Sequence, residues 1–197
     1  MEEEEEEEEV EPPREICLPL SLSVQKETLA LALCVLLAIL LWLYVFELRY
    51  IPSDSMYPAF QPADQFLVDT ATKSLGRAYR RGDTVVFDPP PALLKLLPPG
   101  METGQFVKRV VGVPNDTIEV SSQGTLHVNS KPYDRIPTGY TYGPVVCPAG
   151  SVFVLGDNRN ESLDSHVWGF LDEKLIIGRG VWIYWPLRRL GRVGRGA

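Results

Sequence analysis

Two serines, one lysine and a dense polar run are where this chain concentrates side chains able to do chemistry. The first segment is Ile51-Pro52-Ser53-Asp54-Ser55-Met56-Tyr57-Pro58. Flanking prolines fit a turn, and a serine there becomes a nucleophile only if a base reaches it. The second segment, Gln105-Phe106-Val107-Lys108-Arg109-Val110-Val111-Gly112, reads as a strand. Alternate strand residues share a face, so Lys108 projects with Phe106 and Val110 while Arg109 projects the other way. Apolar neighbours strip water from a lysine, disfavour its charged form and lower its pKa. A lysine general base needs that. The competing reading is an edge lysine whose ammonium reaches water and blocks unwanted strand pairing. The third segment, Gly156-Asp157-Asn158-Arg159-Asn160-Glu161-Ser162-Leu163-Asp164-Ser165-His166, follows an apolar strand. A turn alone would need one Gly and an Asn or Asp. The surplus of Ser, Asp and Arg points to a site built on a rigid support.

These segments must be positioned by the elements around them. After residue 50 the chain is a series of short β-type runs separated by Gly, Pro and Asp. Strands are expected at Phe66–Asp69, Thr84–Phe87, Gln105–Gly112, Thr117–Val120, Thr125–Val128, Ser151–Leu155 and Leu175–Tyr184, with turns at Val113–Asp116 and Ser121–Gly124. No long helical period interrupts them. The expected class is therefore mainly β, an antiparallel catalytic domain over 47–190 with an accessory part around 117–150 and a tail at 191–197. The segment 89–100 is apolar, fenced by prolines and too short to span a bilayer. It either packs back on the domain or dips into a membrane interface.

Ahead of this lies a different texture. Thr28–Phe46 carries no charge and is dominated by Leu, Ala, Val and Ile. Its length as a helix is roughly 28 Å at about 1.5 Å per residue, close to a bilayer's hydrocarbon thickness. Trp42 and Tyr44 sit near one end, where amphipathic rings favour the headgroup layer. A retained transmembrane helix over 28–46 is expected, since Phe46-Glu47-Leu48 is no small-residue cleavage site. Arg14 and Lys26 precede it and Arg49 follows closely, so charge does not fix its orientation. Residues 1–27 form an acidic tail expected to be disordered.

Composition excludes several classes. The net charge is -7, but eight of the 26 acidic residues lie in Glu2–Glu9, and the other 18 face 19 Lys and Arg. That balance offers no basic face for nucleic acid. The three cysteines, Cys17, Cys34 and Cys147, form no CxxC pair. Neither a zinc site nor a disulfide inside the main domain is expected, and no cofactor.

Taken together, the segments resemble the signature boxes of the type I signal peptidases. Ser-x-Ser-Met-x-Pro is similar to Ser53–Pro58, Arg-Gly-Asp-x-Val-Val-Phe to Arg81–Phe87, Lys-Arg-Val-Val-Gly-x-Pro-x-Asp to Lys108–Asp116, and Gly-Asp-Asn-Arg-x-x-Ser-x-Asp-Ser to Gly156–Ser165. One box is weak; four in order are specific. The resemblance implies a Ser/Lys dyad of Ser55 as nucleophile and Lys108 as general base. It implies an oxyanion hole from Ser53 and the Ser55 amide, a lysine-orienting Ser162, and supporting roles for Asp157, Arg159 and Asp164. The implied partners are signal-peptide-bearing preproteins, with small residues at the first and third positions before the cut, and the lipid bilayer. Ser55 lies nine residues beyond Phe46, so a membrane anchor would hold it where tethered substrates are concentrated.

Two positions depart from the pattern. Ala59 stands where the family often has Thr. His166 stands where many bacterial members have Arg, so the ion pair expected with an aspartate is weakened or replaced. This histidine resembles the cyanobacterial and plastid branch and suggests a thylakoid or cyanobacterial membrane, with the catalytic domain on its trans side. Two other readings stay open. One is a Ser-His-Asp hydrolase using His166 and Asp164, since His127 reads as an ordinary strand residue. The other is an inactive membrane-anchored binding module, which the intact Ser55, Lys108 and Ser162 argue against.

Overall fold

Short runs of β-branched and aromatic residues between Gly, Pro and Asp turns leave the chain little choice but strand pairing. In the computed structural model, which describes residues 20–100 and 104–194, they pair antiparallel throughout. The chain divides into two compact units at 41/42, each described by itself.

The first unit is most of helix α1, Leu20–Val45. The helix begins eight residues before the charge-free run, because the backbone continues through Lys26 and Glu27. Its side chains stand exposed all round, Leu31 at 66% and Leu37 at 59% among them. The side chains at 20–23, 25 and 43 lie outside the described set, and among the described residues no helix is long and apolar enough to cross a membrane. The acidic segment 1–19 also lies outside it.

Among its described residues the second unit carries twelve strands: β1 (Phe46–Tyr50), β2 (Gln65–Asp69), β3 (Thr84–Phe87), β4 (Phe106–Gly112), β5 (Thr117–Val120), β6 (Leu126–Val128), β7 (Lys131–Pro132), β8 (Tyr142–Val146), β9 (Ser151–Leu155), β10 (Leu171–Asp172), β11 (Ile176–Trp185) and β12 (Gly191–Arg192). The larger sheet runs β1-β2-β11-β3-β4-β9-β10, with β12 on β11. The second sheet runs β7-β6-β5-β8, so the accessory part is a four-stranded sheet. The segment 191–197, expected as a tail, gives a strand to the main sheet through Trp182–Arg192 and Ile183–Gly191 pairing.

Three apolar clusters hold the unit. Val85, Phe87, Val110 and Val154 form one, and Ile118, Leu126, Phe153 and Leu155 a second between the sheets. Ile51, Met56, Phe60, Phe66 and Val86 form the third, beneath the Ser53–Pro58 turn. That turn is thus seated on a packed base. The apolar loop packs back: Leu93, in the short helix Pro91–Leu94, is fully buried and Leu97 lies against the same cluster, leaving Leu96 outward.

Candidate active site

Lys108 Nζ donates to Ser55 Oγ at 2.8 Å, across 53 residues of sequence. Two local devices create that meeting. Met56 is 1% exposed and pins a 3₁₀ turn, Asp54–Met56, that lifts Ser55 out of the core. On the other side β4 pairs with β3, placing Lys108 opposite Val85 and on the face of Val110. Arg109 takes the opposite face, as alternation requires. Both are buried, Lys108 at 3% and Arg109 at 2%, but they are treated differently. Arg109 donates through Nε and Nη2 to Asp157 at 2.7 and 2.6 Å and through Nη1 to the carbonyls of Gly82 and Gly194. Among the described residues no carboxylate pairs with Lys108. Burial pulls its pKa down from 10.5 to about 8, against the opposing pull of Asp164 and then Asp157.

Ser53 precedes the turn at its N-cap, yet its side chain makes no capping bond. Its Oγ lies 3.4 Å from Ser55 Oγ. A hydroxyl so close to the nucleophile can turn to an oxyanion that develops there.

The Gly156–His166 loop grips this turn from the far side. Asn158 N donates to the Ser55 carbonyl at 3.1 Å, and Asn158 Nδ2 to the Asp54 carbonyl at 3.3 Å. Gly156 must be glycine: a Cβ there would lie 2.5 Å from the Ser55 carbonyl oxygen and press on the Ser162 side chain. Ser162 Oγ is buried without a hydrogen-bond partner, so the lysine-orienting contact implied by the resemblance is not formed in this structure. Arg159 pairs with Asp134 of the accessory segment and donates to the Gly156 carbonyl. Asp164 is wholly buried, accepts from Gly156 N at 2.9 Å, and pairs with His166 Nδ1 at 2.6 Å. The Arg81 box joins in through a bidentate Arg81–Asp116 pair.

Four separate sequence boxes therefore converge. Asn158 carries no predicted role of its own, although it stands inside a quoted box. Tyr140, stacked on His166 with centroids 3.9 Å apart, carried no local signal at all. The ion pair doubted at His166 is replaced, not lost. His166 bonds to Asp164, whereas the hydrogen-bond partners of Ser55 Oγ among the described residues are Lys108 and Ser53. The Ser-His-Asp arrangement is not assembled. Ala59 sits among apolar neighbours, and its carbonyl accepts from Arg189.

A cleft of about 660 Å³ opens on the pair. Tyr50, Ile51 and Pro52 line one wall and Gln105, Phe106 and Val107 the other, with Ser53, Ser55 and Lys108 at its base. Arg49 Nε donates to Gln105 Oε1 at 2.8 Å, joining two residues of the lining. Because β1 is an edge strand, an extended peptide can add along it. Among the described residues no group of three or more His, Cys, Asp or Glu could hold a metal ion.

Comparison with known proteins agrees with this geometry. The family model described as "Signal peptidase, peptidase S26" matches residues 24–185. A signal peptidase I of Leptolyngbya laminosa is 42% identical over 164 residues, covering 81% of this chain and 79% of that protein. A probable signal peptidase I-2 of Synechocystis is 42% identical over 161 residues, covering 80% and 71%. Thylakoidal processing peptidase 1 of Arabidopsis thaliana is 39% identical over 145 residues, covering 71% of this chain and 42% of that longer protein.

Proposed function

The chain belongs to the signal peptidase family, peptidase S26, and on that premise we propose that Ser55 and Lys108 are its catalytic pair. It is a serine endopeptidase that removes signal peptides from preproteins. The observation that carries the residue assignment is the 2.8 Å contact between Ser55 Oγ and a lysine only 3% exposed, with no carboxylate paired to it among the described residues.

In the proposed reaction the preprotein's chain lies along the cleft with its scissile carbonyl over Ser55. Neutral Lys108 takes the Ser55 proton as Oγ bonds to the carbonyl carbon. The oxyanion is met by the Ser53 hydroxyl and the Ser55 amide. Lys108 then returns the proton to the departing amine, the C–N bond breaks and an acyl-enzyme remains. Water repeats the sequence with Lys108 again as base, releasing the signal peptide. This is the serine-lysine variant of the serine-protease arrangement. Ser162 takes the lysine-orienting role that the resemblance implies, and its buried hydroxyl, unpaired among the described residues, leaves it a donor and acceptor to offer. Asp157, Arg159 and Asp164 hold the loop through the ion pairs described above.

The remaining assignments follow the same reading. The charge-free stretch of α1, residues 28–45, serves as a single-pass anchor, with Phe46 already in β1. The likeness to cyanobacterial signal peptidases and to a thylakoidal processing peptidase supports a thylakoid or cyanobacterial membrane, with the catalytic unit on the trans side. The decisive test incubates detergent-solubilised full-length enzyme with a preprotein beside Ser55→Ala and Lys108→Ala. Both variants should leave the preprotein uncut; processing by either at the wild-type rate ends the assignment.

A further inference from the structure

The Ser-Lys mechanism does not use His166, yet its surroundings are those of a built contact. Its ring lies flat on Tyr140 at 3.9 Å, tilted by only 7°. Nδ1 is 2.6 Å from Asp164 Oδ1. A carboxylate only accepts, so Nδ1 carries the hydrogen and Nε2 is where a second proton would enter. The ring is 20% exposed, enough to exchange protons with solvent, while Asp164 is wholly buried. The same Asp164 is the first of the two carboxylates whose charge favours the ammonium form of Lys108; Asp157 is the other. The remaining ionisable groups here are Arg159 and Asp134, which form their own pair, and Tyr140, whose hydroxyl burial keeps neutral.

We propose that His166 is a positioning residue that acts through Asp164 on the protonation of Lys108. A neutral imidazole leaves the Asp164 carboxylate free to hold Lys108 as the ammonium. An imidazolium offsets that charge, with Tyr140 supporting it by a cation-π contact, and Lys108 releases its proton more easily. An unperturbed histidine changes charge between about pH 5 and 8, along the acid limb of a lysine base. The arrangement therefore sustains the free amine as pH falls, which a permanently charged or permanently neutral residue cannot do conditionally.

This rests on the Ser55-Lys108 reading, and the experiment separates the two. It measures kcat/KM for a signal-peptide substrate from pH 5 to 10 with full-length wild type, His166→Arg and His166→Gln. Lys108→Ala is included as control. The fixed charge of the Arg variant should move the acid limb down by roughly half to one pH unit, the size of one charge acting across a partly screened site. The Gln variant, neutral throughout, should fall below wild type only at the acid end, with a steeper limb. Should the Arg variant fail to fold beside Tyr140, the comparison of Gln variant and wild type below pH 6 decides alone. Normalised profiles that superimpose, with only kcat lowered, overturn the proposal while an inactive Lys108→Ala keeps the dyad. An active Lys108→Ala would overturn the dyad itself, and this inference with it.

Discussion

The amide of Asn158 donates to the carbonyl of Ser55 at 3.1 Å, so the loop after β9 holds the nucleophile by its own backbone. The Asn158 side chain adds a longer bond to the Asp54 carbonyl. Asn158→Ala keeps the first and loses the second. A bond of that kind contributes about 1 kcal/mol, so kcat should fall roughly 5-fold with KM little changed. Steady-state kinetics on a peptide substrate check this.

Ser53→Ala should lower kcat by about 10²-fold, the usual cost of losing one oxyanion donor, and leave KM near wild type. A proportional rise in KM instead would mean that Ser53 contacts the substrate's ground state.

Lys108 carries a pH signature in both activity and stability. Only its neutral form is a base, so kcat/KM should decline below a midpoint near pH 8. For stability, the unfolded chain holds this proton up to about pH 10.5 while the folded chain releases it near 8. The unfolded state then binds more protons within that window, and stability rises with pH across it. The gain is roughly 3 kcal/mol. Urea denaturation of wild type and Lys108→Met at pH 7.5 and 10.5 should show the rise in wild type alone, once contributions common to both are subtracted.

Asp157→Ala leaves the Arg109 guanidinium buried without its carboxylate. Removing one partner of such a pair costs roughly 3–5 kcal/mol. A lowered denaturation midpoint should accompany the loss of activity, and the double variant Arg109→Met with Asp157→Leu should recover part of the stability but not the activity.

Gly156→Ala forces a methyl group against the Ser55 carbonyl and the Ser162 side chain. Backbone cannot yield as a side-chain tip does, so Ser55 must shift. Cleavage should fall at least 10²-fold, since a displacement of about 1 Å at the reacting atoms has that effect. Thermal denaturation should move less than in Asp157→Ala.

How much of this could be read beforehand depends on whether the signal was local. Thr84–Phe87, Thr117–Val120 and Ser151–Leu155 form strands at the expected bounds because each is a run of β-formers between turn residues. β1 was hidden: Phe46-Glu47-Leu48-Arg49-Tyr50 continues directly from an apolar helix and reads as its end. β8 was hidden by Gly143 and Pro144, residues that mark a turn in most contexts. In the site, strand alternation put Lys108 and Arg109 on opposite faces, and the resemblance of the ordered boxes singled out Lys108. The Tyr140–His166 stack and the grip of Asn158 on Ser55 did not, because each joins residues that only the folded sheets bring together.

The bond from Arg109 to the Gly194 carbonyl spans 85 residues. Synthesis runs from the N-terminus, and domains fold as their residues emerge. Ser55 and Lys108 therefore leave the ribosome long before the acceptor that completes the support behind β4. A nascent chain halted between residues 108 and 194 holds both reactive side chains but lacks the Gly194 carbonyl that accepts from Arg109.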